Sequence, residues 1–186
     1  MAEYVVLVDE QDTELGTEEK LQAHLVPVLH RAFSVVIYDR EGRLLMQQRA
    51  ADKYHSAGLW SNTCCGHPRP GESAADAAVR RLVEEMGITC LLQPACLLSY
   101  RLELGGGLFE HELNRVFIGV FDGTPRPNPA EVAEWQWVGG EALRSMRRTP
   151  DALTPWLTPV MDELWQWSRR AESLAPALQR GISSWN

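Results

Sequence analysis

Glu110 and Glu112 stand two apart in a β-rich stretch, residues 110–121. Side chains at i and i+2 share one face of a strand, so both carboxylates point one way and His111 the other. The chain has only five histidines. Three of them, His24, His30 and His67, could join the carboxylates in an N3O2 set that suits an octahedral first-row metal. The ordinary alternative is a pair of solvated strand carboxylates and structural imidazoles.

A second constellation begins at Gly66. Five residues separate it from Glu72, and seven more lead to Arg80-Arg81-Leu82-Val83-Glu84-Glu85-Met86-Gly87-Ile88. A loop–helix–loop unit of this kind can project carboxylates toward one hard cation such as Mg²⁺ or Mn²⁺. The competing reading makes Arg80–Glu84 and Arg81–Glu85 simple i,i+4 pairs on a solvated face. The spacing resembles the Nudix box, G-x5-E-x7-R-E-U-x-E-E-x-G-U with U apolar. Every fixed position matches except Arg81, which stands where that family has Glu. A guanidinium there removes a metal ligand or base and supplies a bidentate phosphate donor, so the site suits holding a diphosphate more than cleaving it.

These residues need elements to carry them. Tyr4–Asp9 reads as a strand, and Thr17–Lys20 could open a short helix. Ala32–Asp39 and Leu44–Gln48 flank the turn Arg40–Arg43, a hairpin pattern. Leu59–Cys64 is a short strand entering Cys65-Gly66-His67-Pro68. Ser73, with Asp76 three residues on, has the form of a capping box, and Gly87 is the natural stop of that helix. Ala75, Ala78, Val79, Leu82 and Met86 recur at helical spacing and are expected to face the core. Strands follow at 96–104, 110–121 and 132–138, with a Gly105–Gly107 turn and a Pro-rich loop, Pro125–Pro129. Glu141–Met146 is a short helix. Thr154–Ala171 is a Trp-rich amphipathic helix with prolines near its start, and the tail, 172–186, is weakly helical. Strands around one central helix with helices at the end make an α+β fold over a single domain, 1–186.

Composition narrows the classes. The 186 residues carry 18 Lys+Arg against 25 Asp+Glu, a net charge of −7, which argues against gripping nucleic acid through overall charge. At 45% hydrophobic and 23% charged, the chain has material for one sizeable core. Its apolar runs fall far short of the ~20 residues of a membrane span, and no signal-peptide pattern opens it. The cysteines at 64, 65, 90 and 96 contain no C-x-x-C and read as free thiols of a reducing cytosol. Seven tryptophans, four of them beyond residue 150, read as packing.

Ser61-Asn-Thr-Cys-Cys65-Gly-His67-Pro, the altered box and Phe109-Glu-His-Glu112 together resemble the metal-dependent type 1 isopentenyl-diphosphate delta-isomerase family, over about residues 4–170. The resemblance implies a Nudix-like mixed β-sheet domain with flanking helices. It implies interconversion of isopentenyl and dimethylallyl diphosphate in isoprenoid precursor synthesis. In that family a Cys in this context is catalytic, and it maps to Cys65; strand alternation keeps Cys64 out of that role. The metal-binding set maps to His24, His30, His67, Glu110 and Glu112, occupied by Mn²⁺, Mg²⁺ or Zn²⁺. Glu85 maps to the residue that helps hold the substrate-associated Mg²⁺. Lys20, Arg49, Lys53 and Arg81 fall on diphosphate-contacting positions. Tyr100 matches an active-site tyrosine, and Trp156 matches the aromatic that faces a cationic carbon. No flavin, nucleic acid or membrane partner is expected, and the resemblance fits a cytoplasmic monomer or weak oligomer acting on a small molecule. Two other readings are a pyrophosphohydrolase on a nucleoside diphosphate derivative and a silent metal or diphosphate-binding module. Arg81 argues against the first, and the Cys65/Glu112 pair against the second.

Overall fold

β3 (His30–Tyr38) is almost wholly apolar from Ala32 onward and β4 (Leu44–Arg49) opens with Leu-Leu-Met, and these stretches are buried on both faces. Strands covered on two sides read this way rather than as alternating patterns. A computed structural model describes residues 2–186; residue 1, with which the expected domain began, lies outside it. The order continues from β1 (Tyr4–Val8), β2 (Glu14–Glu19) and α1 (Lys20–Leu25) through β3 and β4. Then come β5 (Trp60–Ser61), β6 (Cys64–Gly66), α2 (Ala74–Met86), β7 (Leu92–Gly105), β8 (Leu108–Val120) and β9 (Val132–Val138). The chain ends with α3 (Gly140–Arg147), a 3₁₀ turn, α4 (Leu157–Ser168) and α5 (Pro176–Ser183).

The sheet is mixed. β3 runs parallel to β8 along its whole length and antiparallel to β6 and β1, while β7 and β8 form a long hairpin. The hairpin expected of β3 and β4 is a correction: only Tyr38 and Leu44 pair. Beyond that pair β4 joins β9 and β5. β3 instead fills its edges with β8 and β6, so little of it is left to pair with β4. Leu59–Cys64 is also not one strand, for it breaks at Asn62-Thr63. Thr17–Glu19 belongs to β2, and the short helix begins at Lys20.

On one face α2 packs Ala77, Ala78, Leu82 and Met86 against Phe33, Val35, Ile37 and Cys64. Burial of side chains such as Leu82 and Met86 stabilises by about 1.5–3 kcal/mol each. Ser73 accepts from the backbone N–H of Asp76, and Gly87 ends the helix at φ 63°. A Cβ at Gly87 would come within 2.5 Å of the Arg126 carbonyl oxygen, so the stop is steric as well as conformational. The expected core face needs correction at two positions: Ala75 and Val79 are exposed, Val79 at 45%. Ala77 and Glu85 take the inward stripe instead, so the rotation of α2 turns a carboxylate toward the site. On the other face α4 and α5 place Leu157, Val160, Met161, Leu164, Leu178 and Ile182 against Val36, Tyr38, Leu44 and Met46. The tail is therefore core, with Trp185 1% exposed. No helix among the described residues is long and apolar enough to cross a membrane. The fold is α+β, with helices flanking both faces of the mixed sheet.

Candidate active site

The parallel register of β3 and β8 sets His30 beside Glu112. β6 brings Cys65 opposite Ser34 on the other edge of β3, and His67 follows directly. His24 comes from the last turn of α1. One end of the sheet thus collects the imidazoles and carboxylates that the sequence scatters over ninety positions.

His24 donates from Nδ1 to the Lys20 carbonyl at 2.6 Å, and His30 from Nδ1 to the Val28 carbonyl at 2.9 Å. Those bonds fix the tautomers and turn both Nε2 lone pairs inward. His24 Nε2 then lies 3.0 Å from Glu110 Oε2, and both atoms are buried without a hydrogen-bond partner. Two acceptors at that distance need a proton or a cation between them. Burial pushes the His24 pKa down and the Glu110 pKa up, so a proton between them belongs to Glu110, and an ion that takes this place displaces it. A metal ion fits this set. Ligand atoms of His24, His30, His67 and Glu110 all lie within 4.8 Å of one another. Glu112 stands outside that group of four and meets it through His67, 3.0 Å from its Oε1. His111 bonds the Pro27 carbonyl on the opposite face, as the alternation requires.

Glu112 and Glu110 differ in their company. Burial would raise Glu112, but the hydrogen bond and charge of His67, the charge of His30 and the Tyr100 hydrogen bond outweigh it and hold the carboxylate well below its usual range; Asn114 donates to the same carboxylate at 2.9 Å. Tyr100 donates to Oε2 at 2.5 Å. Glu110 is pushed well up by burial and by its neighbour Glu112. Burial takes His67 down to about 3 and the Cys65 thiol up to about 12.

Cys65, His67, Glu110 and Glu112 open onto a cleft of about 1020 Å³. Its walls also carry Lys20, Arg49, Lys53, Arg81, Glu85, Tyr100 and Trp156. Cys64 points to the opposite side, into the core under α2. The cations at the mouth differ in their partners. Lys20 pairs with Glu3 at 2.8 Å, and Lys53 with Glu131. Arg81 bridges Glu84 at 2.8 Å, Glu85 at 2.5 Å and Glu131 at 3.2 Å. The Arg81–Glu85 pair exists but is not solvated, since the Glu85 side chain is only 7% exposed. Gln47 donates to its other oxygen at 2.8 Å. Arg49 has no carboxylate partner among the described residues; its guanidinium lies 5.2 Å from the Trp156 ring centroid, and its buried Nε is unbonded.

The sequence reading missed His55 and Glu131. His55 Nε2 lies 3.6 Å from Glu110 Oε1, and its ring packs on His24 and Trp156. Its one signal was scarcity: it is a fifth of all the histidines and stands two residues after Lys53. Glu131, at the end of the Pro-rich loop, carried none.

A model of the NUDIX domain matches residues 28–163. The isopentenyl-diphosphate Delta-isomerase of Burkholderia multivorans is 48% identical over 176 residues, covering 91% of this chain and all of that protein. Isopentenyl-diphosphate Delta-isomerase 1 of Aromatoleum aromaticum is 52% identical over 165 residues, covering 88% of this chain and 93% of its own length. A crystal structure of a Deinococcus radiodurans protein superposes with a TM-score of 0.71 over 87% of this chain and 99% of that one, at 17% identity, a likeness of fold. With identity of this level over nearly the full length of both chains, the protein belongs to the isopentenyl-diphosphate Delta-isomerase family of the Nudix fold.

Proposed function

We infer that the chain, as one catalytic domain, interconverts isopentenyl and dimethylallyl diphosphate, moving a carbon–carbon double bond by proton addition and removal. The observation that carries the reading is the shared cleft: a thiol, a carboxylate bonded to a phenol, and an indole, rimmed by cations. An alkene is a poor base, and its protonation makes a tertiary carbocation-like species. The reaction therefore needs one group to deliver a proton to the terminal carbon. It needs another to remove a proton from the carbon on the diphosphate side.

Cys65 and Glu112 are the proton-transfer pair, and Tyr100 stands on the Glu112 oxygen that it bonds. The ring of Trp156 stabilises the cation by ~1–2 kcal/mol in a desolvated site. Arg49, Lys20, Lys53 and Arg81 bind the diphosphate, with Arg49 already lacking a carboxylate to displace. Glu85 would hold the Mg²⁺ associated with the diphosphate. His24, His30, His67, Glu110 and Glu112 hold a second ion, Mn²⁺, Mg²⁺ or Zn²⁺, which when bound lowers the pKa of the groups it touches. We read the protein as cytoplasmic and as a monomer or weak oligomer that binds neither nucleic acid nor membrane. Turnover of isopentenyl diphosphate by the metal-loaded protein, followed by product separation, tests the activity. Phosphate release from a nucleoside diphosphate panel without isomerisation would sink it.

A further inference from the structure

Ser61 is 1% exposed and makes a saturated set of hydrogen bonds. Trp156 donates to its Oγ from Nε1 at 3.1 Å, and Thr154 donates from Oγ1 at 3.0 Å. An indole N–H can only donate, and two donors fill both lone pairs of a hydroxyl. The Ser61 hydrogen must then go elsewhere, and it goes to Asn62 Oδ1 at 3.2 Å. The orientation of the Asn62 amide is equally determined, for its Nδ2 donates to the carbonyls of Val35 at 3.0 Å and Cys64 at 2.9 Å. That leaves Oδ1 facing Cys65, whose Sγ donates to it at 3.4 Å. Ser61 Oγ lies 3.8 Å from the same sulfur but has no lone pair left to receive the thiol hydrogen.

We propose that Ser61, acting with Asn62, is a positioning residue that locks the Trp156 ring and the Cys65 thiol into one geometry at the cleft wall. The element arrangement supports this. Trp156 belongs to the segment that enters α4, whereas Cys65 sits on β6, some ninety positions earlier. The two meet because Thr154 donates its N–H to the Trp60 carbonyl at 2.9 Å and Leu153 bridges Trp60. That backbone contact brings the segments together, but it does not itself set the side-chain torsions of the indole, which is 4% exposed. The bond to Ser61 fixes the edge that carries Nε1, and the branch through Asn62 aims the thiol. A cation stabilised by a ring face and a proton moved at sulfur both depend on sub-ångström placement.

The inference rests on the isomerase reading, so the parent protein is assayed first: a parent that does not isomerise overturns that reading and leaves nothing for Ser61 to position. With an active parent, Ser61→Ala is expected to lower kcat about tenfold or more, as misplacement does. KM for isopentenyl diphosphate should stay within about twofold and bound metal should be unchanged, because no anchor or metal ligand is altered. The Trp156 indole N–H resonance, assigned by its loss in Trp156→Phe, should move. Ser61→Thr keeps the hydroxyl and should restore both kcat and the resonance. A folded Ser61→Ala protein with parental kcat overturns the proposal, as does a kcat loss that Ser61→Thr fails to restore. Should Ser61→Ala not fold, Ser61→Cys under added thiol reductant keeps the shape with a weaker acceptor. It is expected to lose kcat in the same direction, and parental kcat there also overturns the proposal.

Discussion

Two adjacent cysteines meet opposite fates because a strand alternates its faces. Cys65 opens to the cleft, and Cys64 is fully buried under α2. Cys65→Ala is expected to abolish isomerisation. Cys64→Ala should keep most turnover and cost about 1 kcal/mol of stability, read as a lower melting temperature. Activity surviving only in the Cys65 variant would reverse the assignment. Arg81 is the one departure from the box, and the structure sharpens what its loss would do. Arg81→Ala should raise KM and lower kcat/KM by about ten- to a hundredfold, the worth of a charge-assisted contact of ~1.5–3 kcal/mol. It should also destabilise the fold, because Glu85 is buried and would lose its cation. Arg81→Glu should be worse still; near-normal kinetics in that variant would remove Arg81 from the diphosphate. Placement in the cleft was legible where a residue type is rare and sits in a spaced motif, as with His67 or Glu112. His55 and Glu131 lie in loops, where no periodicity marks a side chain as inward. Ser61 and Asn62 stood in a quoted motif, but their bonds depend on Trp156, which only the tertiary fold brings near.

At the scale of elements, the strand carrying Glu110 and Glu112 and the capped helix were legible because alternation and capping are local rules. The pairing of β3 with β8 was not, since a parallel partner eighty positions away leaves no local mark. Apolar runs at β3 and β4 pointed to strands but not to partners, hence the hairpin that reduces to one pair. The face of α2 was misjudged because Ala75 and Val79 are apolar while Glu85, which is inward, is charged. The loop before α2 offers a test of how the box is braced. Arg80 donates to both oxygens of Glu72, from Nε at 2.7 Å and from its terminal nitrogen at 2.8 Å, and these bonds hold the Glu72 pKa below its ordinary value. A depressed carboxylate stabilises above its unfolded pKa, and that stability is lost as pH falls through the folded one. Glu72→Gln should therefore cost about 0.5–1 kcal/mol at neutral pH, and the difference from the parent should shrink as pH falls below the ordinary Glu value of about 4.3 and vanish only below the depressed folded one. Melting temperatures measured across pH check this; a difference that persists unchanged in acid would assign the loss to something other than the ion pair.

The molecule as a whole is built so that one face of the sheet holds the core under α2 while the terminal helices close the other. α4 also delivers the segment that bears Trp156, and α5 seals the core with Ile182 and Trp185. Composition foretold a core of this size, but it did not foretell that the weakly helical tail belongs to it. His24 Nε2 and Glu110 Oε2 are buried without a hydrogen-bond partner, and a bound ion would satisfy both. Chelation should lower the melting temperature, and Mg²⁺ or Mn²⁺ should restore it. At a hundredfold excess over the dissociation constant the expected gain is about 5–10 °C. In Glu110→Gln the gain should shrink together with bound metal by elemental analysis; an undiminished gain would place the ion elsewhere. The central claim is that this cleft moves protons on an alkene and leaves the diphosphate intact. The most direct measurement is NMR of isopentenyl diphosphate incubated with the metal-loaded protein in D₂O. Deuterium is expected to enter the methyl group of dimethylallyl diphosphate with no phosphate released. Inorganic phosphate appearing in its place, or product formed without deuterium, would contradict the account.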